Sequence, residues 1–411
     1  MKNKIKIFVS AYACEPNLGS EIGVGWHWVL EMSKYFDLWV LTRQSNQASI
    51  EAWLIENPCY NNIHFIYYDL PYYLRFWKKG MRGVRTYYSI WQKVTNSIVK
   101  RTMQKNDIKI YHLLTYGNAI WSVSKYGQKQ FFIWGPTSVG DGIPHEYTRH
   151  YGRKSQIIEK LRRLSVKTLP FNKGFHRRCK DANLIFCKTE TTFNNIPEAY
   201  RSKALVFTDV AVETINTSNY VCTRENTDKT IKYYAVGRLD AWRGFDLLIE
   251  AFAEAFKLNS NIRLEILGKG TDKNRLQELI KKYQLDAVIL LGGQVSMEEY
   301  YQKMANCDVV VNPCLKEGAV TTAFDSMSFG KPLICIETGG YTRFFNNDYA
   351  VLITQTSREE VISKLTDGIL QLTDSEERKL KGAKAKEIGK QFGWHWKGEL
   401  IYKEIKNNFH L

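Results

Sequence analysis

The 411-residue chain carries 58 Lys and Arg against 42 Asp and Glu, a formal net charge of +16, and its length is comfortable for two domains that each bury a core. A hydrophobic content of 44% with 24% charged residues excludes large-scale disorder, and no apolar run approaches the roughly 18 residues that a membrane-crossing helix needs. The eight cysteines show neither paired metal-ligand spacing nor the density of a disulfide scaffold, so they are expected to be reduced core thiols in a cytoplasmic protein.

The first apolar run is interrupted by Lys6 and too short for a signal core, which makes residues 5–11 a strand. A helix is expected over 23–35, strands over 38–42 and 63–67, and then a long basic helical stretch leading to a strand within 108–114. Further strands follow at 131–134, 184–187 and 205–207. Residues 214–232 are polar and lack periodicity, and are read as a linker. The alternation then resumes with strands at 232–236, 263–267, 288–291, 308–312 and 333–336, helices at 246–256, 273–283 and 297–306, and a helical run to the end. Strands alternating with helices point to parallel sheets and an α/β fold. The expected domains are 1–213, completed by 394–411, and 232–393, joined by 214–231.

Residues 312–332 hold the most informative spacing. The buried-looking strand 308–312 feeds a loop carrying Glu317, with Gly318 directly after it, and a helix opens near Thr321 or Thr322 with Asp325 eight residues beyond Glu317. At the carboxyl end of a parallel strand such acids would face a ligand crevice. They can act as a catalytic pair, grip hydroxyl groups of a bound sugar or ribose, or simply be a solvated loop acid and a helix-dipole partner.

Other motifs accompany the pair. Val236-Gly237-Arg238-Leu239 and Arg243-Gly244-Phe245-Asp246 form a strand end, a basic loop and a helix start; Gly330-Lys331-Pro332 and Gly339-Gly340 follow. Near the N-terminus, Ala13-Cys14-Glu15-Pro16 runs into Asn17-Leu18-Gly19-Ser20-Glu21, a glycine-containing strand-to-helix turn. Together these motifs resemble the family 4 retaining glycosyltransferases of the GT-B architecture, in the subset that opens with this N-terminal loop. In that family the second acid is Glu and the second basic position is usually Lys, so Asp325 and Arg243 are departures.

The resemblance implies two Rossmann-like domains facing a cleft, with the C-terminal helix crossing back to the first. It also implies transfer of a sugar from a nucleotide-sugar donor to a glycan or lipid-linked acceptor, in cell-surface polysaccharide synthesis, with no cofactor beyond the donor and no metal ion. Arg238 and Arg243 would hold the donor diphosphate, Glu317 and Gly318 the transferred sugar, Asp325 the ribose, the backbone near Val295 the base, and Gly19 a phosphate from the other side of the cleft. His112, at a strand end, would lie near the reacting centre and is assigned a catalytic role, although a lone histidine beside an apolar run is more often a core residue. A nucleotide-sugar 2-epimerase and an inactive sugar-nucleotide-binding scaffold are the alternatives. The positive charge also needs a place: residues 72–105 interleave Arg and Lys with Tyr, Phe and Trp, which suits an anionic membrane on its inner face, and no nucleic-acid-binding motif accompanies it.

Overall fold

The computed structural model describes residues 4–78, 83–120, 130–213, 215, 217–220, 229–316, 321–340 and 343–409. Its strands are β1 (Ile5–Ser10), β2 (Phe36–Thr42), β3 (Ile63–Tyr67), β4 (Ile110–Leu113), β5 (Phe131–Thr137), β6 (Leu184–Cys187), β7 (Ala204–Val206), β8 (Ile231–Val236), β9 (Ile262–Leu267), β10 (Ile289–Gly293), β11 (Val309–Asn312), β12 (Leu333–Ile336) and β13 (Ala350–Ile353). The helices are α1 (Ser20–Ser33), α2 (Gln47–Glu56), α3 (Val84–Val94), α4 (Asn96–Lys105), α5 (His145–Thr148), α6 (Arg153–Lys167), α7 (Lys173–Asp181), α8 (Glu190–Asn195), α9 (Phe245–Leu258), α10 (Lys273–Lys282), α11 (Met297–Asn306), α12 (Thr321–Ser328), α13 (Arg358–Gln371), α14 (Ser375–Gly389) and α15 (Trp394–Asn408).

The chain divides into two compact units. The first, residues 1–140, 166–209 and 394–411, is built on a seven-stranded sheet in the order β3-β2-β1-β4-β5-β6-β7. The second, residues 141–165 and 210–393, is built on a six-stranded sheet in the order β10-β9-β8-β11-β12-β13. Every pairing is parallel. Strands covered by helices on both faces read as unbroken apolar runs, as in Val309-Val310-Val311 of β11 and Leu333-Ile334-Cys335-Ile336 of β12, all buried. The two-domain parallel α/β fold expected from the sequence is therefore present, and α15 belongs to the first unit, where Ile401 and Ile405 enter the core beside Val29 and Met32 of α1.

Both sheets grow outward in two directions from a central pair. The chain starts at β1, winds to β3, and returns to add β4 on the other side of β1; the second unit repeats this with β8, β10 and β11. Loops on either side of such a reversal diverge and leave a crevice at the carboxyl ends of the two central strands.

Several expectations change. Residues 141–165, assigned by sequence to the first domain, group with the second unit because Ile143, Tyr147 and Tyr151 enter its hydrophobic core and the Tyr147 hydroxyl donates to the Thr356 carbonyl at 2.5 Å. The long basic helical stretch is interrupted: Tyr72–Leu74 is a short turn, and α3 and α4 follow it. Its aromatic residues divide, with Tyr87, Tyr88 and Trp91 buried in the first unit's core while Tyr72, Tyr73 and Phe76 are exposed. Most of the linker span 214–231 lies outside the described residues. Thr321 and Thr322 are already helical in α12, and β13 had no expectation at all. Six of the seven described cysteines are buried and all seven are free thiols. No helix of the described residues is long and apolar enough to cross a membrane.

The loop after β8 meets the loop after β11 at Gly244. Its φ of +68° lies in the left-handed region, and a Cβ there would stand 2.1 Å from the Pro313 carbonyl oxygen. Leu315 N–H donates to the Trp242 carbonyl at 3.2 Å alongside this approach. Gly244→Ala is expected to cost about 2 kcal/mol or more, from left-handed strain plus displacement of the loop. A thermal melt lowered by several degrees would bear this out; an unchanged melt would show that the loops do not meet in this way.

Candidate functional site

In the second unit the crevice between β8 and β11 is bounded by 237–244 and 313–316. The chain leaves β8 at Val236, and Gly237 N–H is held by the Leu267 carbonyl at 3.0 Å. A short 3-10 turn, Ala241–Arg243, folds the loop back, and Arg243 N–H donates to the Asp240 carbonyl at 2.9 Å. The Arg243 guanidinium lies over the Trp242 ring, 4.4 Å from its centroid, and its chain passes over Gly237. Stacking of this kind fixes a guanidinium plane without neutralising its charge. Arg238 is 64% exposed and sits 3.0 Å from the Asp240 carboxylate. The loop thus presents two cations at the carboxyl end of the sheet's central strand.

Lys316, on the loop after β11, stands among the charges of Arg162, Glu159 and Asp141, and the sequence reading missed it. Burial, followed by the nearby Arg162 guanidinium, pushes its ammonium down to about 8. It immediately precedes Glu317; Glu317 and Gly318 both lie outside the described residues. Asp246, from the same motif as Arg243, is a structural anchor: it is buried, 3.4 Å from Arg275 and 3.6 Å from Arg358. Val295 is half-buried in the loop between β10 and α11.

Asp325 departs from its expected place. It stands in the second turn of α12 as described rather than the first, is 3% exposed, and accepts a hydrogen bond from the Tyr300 hydroxyl at 2.7 Å. Burial raises its carboxyl to about 7, opposed by the Tyr300 hydrogen bond and reinforced by the charge of Glu213. At neutral pH this group is divided between acid and carboxylate, which a solvated hydroxyl-binding acid would not be. Tyr300, on α11, is the partner that no local pattern announces.

In the first unit the corresponding crevice lies between β1 and β4. The loop after β1 is tied to the loop after β4 by Ala13 N–H donating to Thr115 Oγ1 at 3.1 Å and by Tyr116 N–H donating to Glu21 Oε1 at 2.8 Å. Glu21 thus holds the 115–117 turn. Gly25 has a packing reason of its own: a Cβ there would lie 2.0 Å from the Ala13 carbonyl oxygen. Gly19 is the exposed N-cap of α1, with no side chain over the first amides. A small cleft beside these loops is lined by Glu21, Trp28, Thr115, Pro136, Lys188 and Asp209. Lys188 and Asp209 form an ion pair in it, and Asp209 also accepts the Trp28 indole N–H on its carbonyl at 2.7 Å.

His112 lies beneath this cleft rather than in it. It is 0% exposed, packed edge-on against Trp28, with Nε2 2.7 Å from the Gly135 carbonyl oxygen. Nδ1 has no hydrogen-bond partner among the described residues. Burial lowers the imidazole to about 4, outweighing the Gly135 hydrogen bond, so the ring is neutral at pH 7 and Nε2–H donates. The side chain expected to be catalytic is fully buried, and through the Gly135 carbonyl it ties β4 to β5. Among the described residues no group of three or more His, Cys, Asp or Glu is arranged to hold a metal ion.

Residues 223–387, which contain the whole β8–β11 crevice, match the glycosyl transferases group 1 family. That matched segment lies within the second unit. The relatives agree with it. An uncharacterized glycosyltransferase of Methanocaldococcus jannaschii is 26% identical over 253 residues, 61% of this chain and 65% of that protein. An N-acetylgalactosamine-N,N'-diacetylbacillosaminyl-diphospho-undecaprenol 4-alpha-N-acetylgalactosaminyltransferase of Campylobacter jejuni is 29% identical over 160 residues, 38% and 42% of the two chains. The first three curated relatives are matched over only 42% to 65% of their own lengths. Among solved structures, Anabaena HepE in complex with UDP and glucose superposes with a TM-score of 0.61, 14% identity and coverage of 98% of this chain and 100% of that one. The lipopolysaccharide outer core galactosyltransferase WaaB, in its apo form, gives 0.61 at 14% identity over 99% of both chains. At that identity the likeness concerns the fold, which is the GT-B architecture. The matched segment thus falls in the unit whose β8–β11 crevice carries Arg238 and Arg243.

The two buried ionisable groups give opposite pH signatures. Asp325 binds its proton more tightly in the native state than in the unfolded chain, so its contribution to stability is full below the ordinary carboxylate range and is lost as pH rises through about 7. His112 binds its proton less tightly when folded, so its contribution is full above about 6.5 and is lost as pH falls toward about 4. In urea denaturation, Asp325→Asn is expected to gain stability over the parent chain as pH goes from about 5.5 to about 8, on the order of a few kcal/mol at most. A gap that stays constant across that range would remove the raised carboxyl from the account.

Proposed function

We propose that the protein is a retaining glycosyltransferase that moves a sugar from a nucleotide-sugar donor to a glycan or lipid-linked acceptor in cell-surface polysaccharide synthesis. The observation that carries this reading is the pair of arginines, Arg238 and Arg243, on the loop after β8 at the β8–β11 reversal, inside the segment that matches the glycosyl transferases group 1 family. Open parallel sheets take ligands at that position, and guanidinium groups match the oxygens of a diphosphate. In this reading they bind the donor diphosphate and stabilise the nucleoside diphosphate as it departs, which is the charge that grows in the transition state. They supply the positive charge for which other enzymes use a metal ion, and no cofactor beyond the donor is required.

Glu317, directly after Lys316, grips the transferred sugar, and Gly318 gives the backbone room to approach it. Gly19, at the open N-terminus of α1, offers amides to a phosphate, and Val295 lies where the loop after β10 contacts the base. Asp325 reaches the ribose only if the nucleotide competes for the Tyr300 hydrogen bond; otherwise it sets the position of α12 behind the crevice. In a front-face mechanism the departing phosphate takes the acceptor proton, so the neutral His112 need not be a base, and its role is to position the floor of the acceptor cleft. HepE, crystallised with UDP and glucose, and the Campylobacter enzyme, named for a diphospho-undecaprenol substrate, support this substrate class. An acceptor of that kind implies work at an anionic membrane surface on its inner face, which the exposed Tyr72, Tyr73 and Phe76 beside Arg75 suit.

Thermal shifts with UDP-, GDP- and ADP-sugars, followed by turnover with the stabilising donor, test the reading. Glu317→Ala is expected to keep the fold and the donor-induced shift while losing transfer by about three orders of magnitude or more, the loss of a group that binds the reacting sugar. Undiminished transfer would remove Glu317 from the site. A chain that no donor stabilises and that neither transfers nor hydrolyses any of them would be a scaffold.

A further inference from the structure

Helix α6 is inside out. Its buried residue is Glu159, which pairs with Arg162, whereas its aliphatic residues face solvent: Ile157 is 60% exposed, Ile158 46%, Leu161 61% and Leu164 57%. With a period of 3.6 residues these four fall within an arc of about 120°. Arg153 and Lys160 are exposed on one flank of that arc and Lys154 lies within it, so every exposed charge on residues 153–164 is positive. Soluble helices put such a stripe against the core, and an apolar stripe left outward marks a surface that something covers.

A concave site adjoins the stripe. The α5–α6 corner encloses a cleft of about 510 Å³ lined by His145, Thr148, Arg149, Arg153, Lys160 and Arg163, with no acidic residue in its lining. The corner is held in shape by Gln156 Nε2 donating to the Tyr151 carbonyl at 2.8 Å and by Tyr147 and Tyr151 in the core of the second unit. Positive concavity and aliphatic side chains on one helix are complementary to one kind of partner, a bilayer whose headgroups carry phosphate and whose acyl chains begin a few ångströms below. A protein partner would have to be both apolar and uniformly acidic.

We propose that α6 is a membrane-docking helix that lies in the surface plane of a bilayer containing anionic phospholipids. Ile157, Leu161 and Leu164 enter the acyl boundary, and Arg149, Arg153, Lys160 and Arg163 receive headgroup phosphates in the cleft. This rests on the membrane-borne acceptor of the proposed function, but it is read by vesicle binding rather than by transfer, so its failure leaves the transfer reading standing.

The test is sedimentation of the full chain with phosphatidylcholine vesicles, with and without about one third phosphatidylglycerol, at about 50 mM and about 500 mM salt. The expected result is binding to the anionic vesicles alone, weakened by salt. Ile157→Asp with Leu161→Asp is expected to reduce binding at least tenfold, and Arg153→Glu with Lys160→Glu to abolish the preference for anionic vesicles. Lys379→Glu with Lys273→Glu, an equal change in net charge at exposed positions elsewhere on the same unit, is expected to leave binding within twofold. Equal loss in that control pair would show that net charge, and not α6, binds the membrane. Undiminished binding in the aspartate variant would overturn the proposal. So would a dimer that the aspartate variant dissolves in the absence of any vesicle binding.

Discussion

The arrangement of the group 1 domain depends on a backbone contact that only a glycine permits. Gly244 brings the loop after β8 within reach of the Pro313 carbonyl, and any Cβ would force the two apart. Leu315 N–H then joins the two loops through the Trp242 carbonyl, and Trp242 carries the Arg243 guanidinium on its ring. Arg238 keeps its exposed guanidinium 3.0 Å from the Asp240 carboxylate, so the loop after β8 fixes both arginines at the end of the sheet's central strand.

Each unit uses the same topological device with different chemistry. In the second, the reversal between β8 and β11 is lined with cations and left open. In the first, the reversal between β1 and β4 is closed down by backbone N–H groups donating to Thr115 and Glu21 and by the Lys188–Asp209 pair, over a floor of buried rings that includes His112. Polar groups there are largely spent on one another, so the first unit offers shape and a few paired charges rather than a concentrated field.

The parallel architecture was legible because strands buried on both faces write themselves as runs such as Val309-Val310-Val311. Arg238 could be placed at a strand end because it follows the apolar run of β8 almost directly in the chain. What escaped depends on contacts between distant residues. Tyr300 reaches Asp325 across 25 positions, so an acid that looked like a first-turn ligand became a buried group with a raised carboxyl. His112 sits at a strand end, yet depth is set by Trp28 and Phe186, which no local pattern around His112 reveals. The aromatic residues of 72–105 alternate with basic ones throughout, and only packing separates the buried Tyr87, Tyr88 and Trp91 from the exposed Tyr72, Tyr73 and Phe76. Residues 141–165 look like a continuation of the first unit because burial of Tyr147 and Tyr151 in the second is a tertiary choice.

The central claim is that the cations at the β8–β11 reversal recognise a diphosphate. Calorimetric titration of the nucleoside diphosphate and the corresponding monophosphate into the parent chain and into the Arg238→Gln, Arg243→Gln double variant measures it directly. The account predicts a preference for the diphosphate of at least about tenfold in the parent, the scale of one or two charge-assisted contacts, and its collapse toward unity in the variant. A variant that keeps the full preference would contradict it.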